Sequence, residues 1–264
     1  MLVATGSYCE GNWHSMDEGM KNAAPFVRPE YVNDNHDISL LYFTSGSSGN
    51  PKMVAHNFLY PLGHIVTAKY WHNVNEQSLH LTVADTGWGK AVWGKLYGQW
   101  LSGAAVFVYD HEKFTPANIL EAMAKYKVTS FCAPPTIYRY LIREDLSQYD
   151  LSALKYCTTA GEPLNPSVFE FWKEHTGLDI HEGFGQTETA MTIGTFPWMK
   201  PKPGSLGVPN PAYDMDLLTN DGRSAEDGES GEIILHTDKR LPLGLFEEYY
   251  HNPELTKTVH NNGI

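Results

Sequence analysis

Nine residues between positions 44 and 52 combine the side chains and backbone freedom that anion binding requires. The run is Thr44-Ser45-Gly46-Ser47-Ser48-Gly49-Asn50-Pro51-Lys52, and it follows an apolar, strand-like stretch over residues 38–43. Its glycines let backbone N–H groups approach a ligand, its hydroxyls donate hydrogen bonds, and Lys52 adds a positive charge. It is not a Walker A motif, because Pro51 stands where a second glycine is required and Met53 follows the lysine. This Gly-rich loop is either a binding loop for phosphate oxygens or a surface turn between two strands.

Two further polar stretches follow predicted strands. Residues 159–164 read Thr-Ala-Gly-Glu-Pro-Leu, and residues 182–189 read Glu-Gly-Phe-Gly-Gln-Thr-Glu-Thr. In the second stretch, Phe184 offers an aromatic face to a base, Thr187 offers a hydroxyl to a phosphate, and Glu188 offers a carboxylate to a hard cation such as Mg²⁺. Each stretch also has an ordinary explanation, with Phe184 as a core residue and Glu188 as a solvated surface acid.

The elements that would position these stretches alternate between strands and helices. Strands are predicted over residues 79–83, 104–109, 128–133 and 154–159, and helices over 57–71, 88–101, 115–127, 135–142 and 165–175. This alternation predicts an α/β fold with a mostly parallel sheet flanked by helices. Ligands of such sheets bind beyond the carboxyl ends of the strands. After about residue 200 the sequence becomes rich in Pro, Gly and short strand-like runs, which predicts a β-rich C-terminal third.

Composition excludes several classes of function. The net charge of −12 argues against a nucleic-acid or anionic-membrane surface. There is no run of 18 apolar residues, which predicts no integral membrane segment, and the first twenty residues lack the pattern of a secretory signal. Three widely spaced cysteines fit a reducing cytosol, so the predicted location is cytoplasmic. Twelve histidines occur without the spacing of a zinc site. Oligomeric state cannot be read from the sequence.

Taken together, the three polar stretches resemble the adenylate-forming superfamily, which contains acyl-CoA synthetases, luciferases and nonribosomal adenylation domains. Their order and spacing match the phosphate-binding, adenine-side and aromatic-Gly-Gln-Thr-Glu motifs of that family. The sequence Ala84-Asp85-Thr86-Gly87-Trp88 is similar to the entry of the acyl-pocket helix in the short- and medium-chain branch. Residues 204–209 and 231–233 resemble later elements of the same branch, so the resemblance covers about residues 38–264.

The resemblance implies a two-step ligase reaction. A carboxylic acid attacks ATP to give an acyl-adenylate and pyrophosphate, and coenzyme A then displaces AMP to give acyl-CoA. It implies Thr187 and Glu188 as catalytic residues, Glu188 as the Mg²⁺ ligand, and Trp88 as a wall of the acyl pocket. Lys90 either points into the mouth of that pocket or extends from its helix toward solvent. The implied ATP-binding residues are Thr44, Ser45, Gly46, Ser47, Ser48, Gly49, Lys52, Gly161, Glu162, Pro163, Glu182, Gly183, Phe184, Gly185, Gln186 and Thr187.

The resemblance also implies a domain division. Residues 1–56 would be the remainder of a first α/β subdomain ending in the Gly-rich loop, 57–200 a second α/β subdomain, and 201–264 an incomplete β-rich subdomain. The family's Thr-Gly-Asp motif and C-terminal lid domain have no counterpart in this sequence, so we expect a central fragment of an acyl-CoA synthetase with low activity alone. Two alternatives remain open: an aryl-acid or amino-acid adenylating domain, and a non-catalytic nucleotide-binding remnant of a truncated gene.

Overall fold

The computed structural model describes residues 3–5, 11–44, 51–110 and 113–260. The chain divides into two compact units, residues 1–34 and 35–264. In the first unit, strand β1 (Val3–Ala4) pairs in parallel with β2 (His14–Ser15), and helix α1 (Met16–Lys21) follows directly. The helix starts at Ser15 because the serine hydroxyl accepts a hydrogen bond from the Glu18 N–H at 3.3 Å.

The second unit contains the strands and helices that surround the three polar stretches. Its strands are β3 (Ile38–Thr44), β4 (Lys52–Asn57), β5 (Leu79–Thr82), β6 (Ala105–Val106), β7 (Ser130–Cys132), β8 (Tyr156–Ala160), β9 (Ile180–Gly185), β10 (Met191–Gly194), β11 (Val208–Pro209), β12 (Met215–Leu218), β13 (Glu232–Leu235) and β14 (Glu248–Tyr249). Its α-helices are α2 (Tyr60–Val66), α3 (Gly89–Lys95), α4 (Tyr97–Leu101), α5 (Pro116–Tyr126), α6 (Pro135–Leu141), α7 (Pro166–Thr176) and α8 (Pro253–Val259). A π-helical turn over Thr67–Trp71 continues α2, and a 3₁₀ turn covers Leu146–Gln148.

Among the described residues, strands in the order β11-β10-β9-β8-β7-β5-β6 form the main sheet. The pairs from β6 to β9 are parallel, and only β10 and β11 run antiparallel to their neighbours. The carboxyl ends of β5, β7, β8 and β9 therefore meet at one edge of the sheet. The α/β fold with a mostly parallel sheet is confirmed.

Two smaller antiparallel sheets complete the unit. The small sheet has the order β14-β4-β3, and β12 pairs with β13 in a hairpin. Thr44 lies opposite Lys52 in the β3–β4 register, so the Gly-rich loop leaves and rejoins the small sheet at one point. The pairing of β14 with β4 brings the end of the chain back to the strand that begins at Lys52, and the sequence did not predict this pairing.

The largest buried cluster lies between the main sheet and its helices. Phe131 from β7, Tyr138 from α6 and Trp172 from α7 are fully buried, and their rings meet edge to face at 5.1–5.4 Å. Ile119 and Leu120 of α5 add aliphatic surface to the same cluster. Helices α5 and α7 both start with an Asn or Thr cap followed by Pro, as their sequences predict.

Two elements differ from their sequence prediction. Of the strand predicted over 104–109, only Ala105–Val106 forms strand β6, which lies at the edge of the main sheet beside β5. The helix predicted over 88–101 is broken at Leu96 into α3 and α4. The break accompanies a close approach of α4 to α2, since a methyl group at Gly98 would lie 2.3 Å from the His64 carbonyl oxygen.

Histidines 56, 64, 72 and 80 are buried, each with under 2% of its surface exposed. Burial lowers the pKa of His56 to about 4 and that of His64 and His80 to about 3. Burial also lowers the pKa of His72, with the neighbouring His80 ring adding to the effect. All four rings are therefore neutral in the folded chain at neutral pH.

We expect the chain to lose stability as the pH falls below about 6.5. The unfolded histidines take up protons near that pH, whereas the folded ones stay neutral until about pH 4 or lower, so protonation favours the unfolded chain. At pH 5.0 each such histidine should cost about 2 kcal/mol. Urea unfolding at pH 7.5 and pH 5.0 measures the loss. His64→Gln should reduce the difference between the two pH values, while the same change at exposed His175 should leave it intact. An unchanged pH dependence in His64→Gln would contradict this account.

Candidate functional site

A cavity of about 820 Å³ opens beside the carboxyl end of β9. Its walls come from the end of β9 and the residues after it, from the hairpin β12–β13, and from the segment around β14 and α8. Predicted site residues that line it are Lys52, Phe184, Gln186 and Glu188. Thr189, Thr192, Tyr249 and His260 add further polar atoms to the wall. The cavity thus joins a cation, an aromatic face and a carboxylate.

The glycines on either side of Phe184 are required by tight packing behind the strand. A methyl group at Gly183 would lie 2.5 Å from the Trp71 ring, and one at Gly185 would lie 2.3 Å from the Trp93 ring. Because neighbouring side chains of a strand point to opposite faces, Phe184 is directed away from these rings. The Gly-Phe-Gly pattern therefore has a packing cause in addition to any role in binding.

The Thr187–Glu188 segment is held by backbone contacts with the small sheet and the chain before β14. His56 of β4 donates from Nε2 to the Thr187 carbonyl oxygen at 2.8 Å. The Phe246 N–H donates to the Glu188 carbonyl oxygen at 2.8 Å. Since a carbonyl oxygen only accepts hydrogen bonds, Nε2 carries the proton of the neutral His56 ring. These bonds fix the backbone while leaving the Thr187 hydroxyl and the Glu188 carboxylate to other partners.

The Glu188 carboxylate contacts Tyr249. The Tyr249 hydroxyl donates to Glu188 Oε1 at 2.7 Å, and the Lys52 ammonium lies 5.0 Å from the centre of the Tyr249 ring. Burial, together with the bond to Glu188, raises the pKa of the Tyr249 hydroxyl. The phenol is therefore protonated at neutral pH and acts as the donor.

Glu182 ties two loops to β9. Its two carboxylate oxygens accept hydrogen bonds from the Leu164 N–H at 3.3 Å and the Gly204 N–H at 3.1 Å. Burial raises the pKa of Glu182, and these two bonds act in the opposite direction. Leu164 directly follows the stretch Gly161–Pro163, so Glu182 holds this stretch against the strand that carries Phe184.

Glu162 lies on the exposed side of that stretch. Its Oε2 accepts from the Thr136 hydroxyl at 2.8 Å and lies 3.5 Å from the Arg139 guanidinium. Gly161 adopts a φ of +103°, a backbone conformation that favours glycine, with open space on its side-chain side. Among the residues predicted to border an adenine, Gly161 thus leaves open space beside it. The Glu162 carboxylate contacts the side chains of Thr136 and Arg139 in α6.

The predicted acyl-pocket residues lie at the neighbouring strand end. Trp88 precedes α3 and is 61% exposed. Lys90, in the first turn of α3, reaches the end of β8, where its ammonium donates to the Ala160 carbonyl oxygen at 2.7 Å. Burial lowers the pKa of Lys90, and the nearby Glu162 carboxylate acts in the opposite direction. Lys90 therefore does not extend toward solvent: its ammonium lies at the end of β8.

The described site residues thus fall into two neighbouring groups. Lys52, Phe184, Gln186 and Glu188 share the cavity, while Trp88, Gly161, Glu162 and Pro163 lie outside its lining. Thr44, Glu182, Gly183, Gly185 and Thr187 support these groups from strand ends or turns. Ser45, Gly46, Ser47, Ser48 and Gly49 lie outside the described residues, so their predicted role has no structural counterpart to report.

Two residues that contact the site were missed from the sequence. His56 directly precedes the helix predicted over 57–71, and Tyr249 lies in an acidic-aromatic run; neither belongs to a motif. The partners of His56 and Tyr249 are 131 and 61 residues away in the chain. A local pattern carries no signal for contacts over such distances.

The chain belongs to the AMP-binding enzyme family, whose model matches residues 7–250. It is 39% identical over 259 residues to the human acyl-coenzyme A synthetase ACSM3, mitochondrial, covering 98% of this chain and 44% of that protein. It is 38% identical over 252 residues to the rat acyl-coenzyme A synthetase ACSM4, mitochondrial, covering 95% of this chain and 43% of the relative. The chain thus spans under half the length of these curated relatives.

Solved structures share the fold. The anthranilate CoA ligase AuaEII in complex with anthranoyl-AMP matches with a TM-score of 0.85 and 27% identity, over 99% of this chain and 50% of that one. A benzoate CoA ligase from Burkholderia xenovorans matches with a TM-score of 0.79 at 20% identity, over 97% of this chain and 54% of that one. The resemblance to adenylate-forming enzymes drawn from the sequence is confirmed.

The prediction of a cytoplasmic location is wrong, because relatives of this chain are named as mitochondrial proteins. That prediction depended on the few cysteines, which fit any reducing compartment and do not distinguish one from another.

In the part of the chain that the structure describes, no helix is long and apolar enough to cross a membrane.

We expect Glu182→Gln to destabilise the fold by about 1–3 kcal/mol, because the new amide group can accept from only one of the two backbone N–H donors and leaves the other unpaired. Urea unfolding at pH 7 measures the change. Glu170→Gln, the same substitution at an exposed position of α7, is the matched control and should stay within about 0.5 kcal/mol of the wild type. Equal stability of the two variants would show that Glu182 does not hold the loops.

Proposed function

We propose that this chain is the nucleotide-binding part of an ATP-dependent acyl-CoA synthetase. In the proposed reaction a carboxylic acid attacks the α-phosphorus of ATP, pyrophosphate leaves, and the thiol of coenzyme A then displaces AMP from the acyl-adenylate. The observation that carries the proposal is the shared cavity of Lys52, Phe184, Gln186 and Glu188. A cation for phosphates, an aromatic face for a base and a carboxylate for a metal are the groups that binding of a nucleotide with its metal requires.

Each group has a proposed role in binding. Lys52 neutralises the β- and γ-phosphates together with the Gly-rich loop from Thr44 to Gly49. Phe184 stacks on the adenine, which Gly161, Glu162 and Pro163 border from the neighbouring strand end. The Thr187 hydroxyl donates to the α-phosphate. The backbone bonds of His56 and Phe246 support this role, because they hold the Thr187–Glu188 segment in place before a ligand arrives.

Glu188 is the proposed ligand of Mg²⁺. In the described part of the chain no group of three or more His, Cys, Asp or Glu side chains could hold a metal by itself. Two carboxylates, those of Glu188 and Glu232, line the cavity beside Lys52, and Mg²⁺ is commonly bound by one or two carboxylates together with substrate phosphates. When bound, Mg²⁺ would neutralise charge on the phosphate oxygens. The chain's own contribution is to orient Glu188 through Tyr249 and to bring the phosphates beside Lys52.

The acid substrate would lie between Trp88, Lys90 and the end of β8. We propose a short- or medium-chain fatty acid, in line with the Asp-Thr-Gly-Trp sequence before α3. An aromatic acid is the second candidate, favoured by the similarity to the anthranilate CoA ligase over 99% of this chain. The mitochondrial relatives support a mitochondrial location for the protein.

Binding of MgATP tests the nucleotide site directly. Lys52→Met should weaken MgATP binding about tenfold in calorimetry, because a phosphate contact with a full charge is lost. Lys155→Met, at an exposed lysine before β8, is the control and should bind like the wild type. If the wild-type chain bound no MgATP, the proposal would fail, and so would the alternative of a non-catalytic nucleotide-binding remnant.

Acylsulfamoyl adenosines, which are stable analogues of acyl-adenylates, separate the acid classes without requiring turnover. We expect the butyryl and octanoyl analogues to bind at least about tenfold tighter than the benzoyl and aminoacyl analogues, which corresponds to about 1.4 kcal/mol. Tighter binding of the benzoyl analogue would replace the fatty-acid proposal with the aryl-acid one. Tighter binding of an aminoacyl analogue would favour an amino-acid adenylating domain.

A further inference from the structure

Tyr249 lies between the cation and the carboxylate of the candidate site. Its hydroxyl donates to Glu188 Oε1 at 2.7 Å, and its ring face lies 5.0 Å from the Lys52 ammonium. All three side chains line the same cavity. A tyrosine can satisfy both neighbours because its hydroxyl is a hydrogen-bond donor and its ring face attracts cations.

The backbone position of Tyr249 is fixed by the pairing of β14 with β4. Tyr249 lies opposite Val54 in the β4–β14 register. The Glu247 N–H donates to the Ala55 carbonyl oxygen, and the Tyr250 N–H donates to that of Met53, both at 2.8 Å. Only 4% of Tyr249 is exposed. The paired backbone and the burial of the ring therefore hold Tyr249 beside Lys52 and Glu188.

Lys52 and Glu188 make no direct ion pair, although both face the cavity. Two opposite charges that line one cavity would be expected to pair and so neutralise each other. Tyr249 offers each of them a separate partner. In the part of the chain that the structure describes, Glu188 Oε2 accepts no hydrogen bond, so one carboxylate oxygen remains available.

We propose that Tyr249 is a positioning residue that keeps Lys52 and Glu188 apart, each ready for its own part of a metal-bound nucleotide. The inference rests on the proposed function, since it assigns phosphate to Lys52 and metal to Glu188. Without the Tyr249 hydroxyl, Glu188 is free to turn toward Lys52, and the resulting ion pair competes with both the phosphate and the metal.

The test is MgATP binding by calorimetry in a double-mutant cycle. Tyr249→Phe should weaken MgATP binding about tenfold, because the released carboxylate pairs with Lys52. In the Glu188→Gln background the same change should cost less than about twofold, since no carboxylate is left to release. A merely structural role of the hydroxyl would give equal losses in both backgrounds and would overturn the inference.

Further variants separate the effect of losing the Tyr249 hydroxyl from an effect on the stability of the fold. Tyr250→Phe, the neighbouring tyrosine, should bind MgATP like the wild type. Tyr249→4-aminophenylalanine keeps a donor at the same place and should restore binding, whereas the 4-methyl analogue of similar size should not. Comparison of these two analogues tests the inference even if the Tyr249→Phe variant is unstable. Equal binding by the two analogues would overturn the inference alone, while a wild-type chain that binds no MgATP would overturn the proposed function with it.

Discussion

The candidate site depends on the contact of two glycines with two tryptophan rings. Gly183 and Gly185 lie so close to Trp71 and Trp93 that a methyl group at either position would overlap the ring. The rings belong to the turn after α2 and to α3, so this contact fixes both helices against β9. Trp71 also donates from Nε1 to the Glu182 carbonyl oxygen at 3.2 Å. Because the two glycines lie on one face of β9, the side chain of Phe184 lies on the opposite face. The geometry of the cavity thus follows from packing on the opposite side of the strand.

Much of the fold could be read from the sequence because its signals are local. Strand and helix periodicity predicted β5, β7, β8 and α5–α7 close to their observed bounds, and Asn or Thr caps followed by Pro marked helix starts. The polar stretches after β8 and β9 could be assigned to strand ends, and parallel strands bring such ends to one edge. The presence of a site was therefore predictable, as was its general place. Its individual contacts were not.

What the sequence could not predict involves residues far apart in the chain. The pairing of β14 with β4 joins segments that no short pattern connects, and it is what brings Tyr249 to Glu188. The break between α3 and α4 accompanies the contact of Gly98 with α2, a contact between residues far apart in sequence. The four buried histidines are eight residues apart in sequence, but they lie on different elements: His56 on β4, His64 on α2, His72 after the π-helical turn and His80 on β5. Only the tertiary structure shows that their environment is closed to water.

The arrangement of Lys52, Tyr249 and Glu188 has a consequence for the kinetics of ligand capture. The cavity lining carries one positive side chain, Lys52, and two carboxylates, Glu188 and Glu232, and the whole chain has a net charge of −12. An anionic nucleotide approaching from solution therefore meets a repulsive long-range field. It is attracted only once it comes within contact range of Lys52, well inside the Debye length of about 8 Å at physiological ionic strength. Capture is then a short-range event rather than an electrostatically steered one, and added salt should speed the encounter by screening the repulsion.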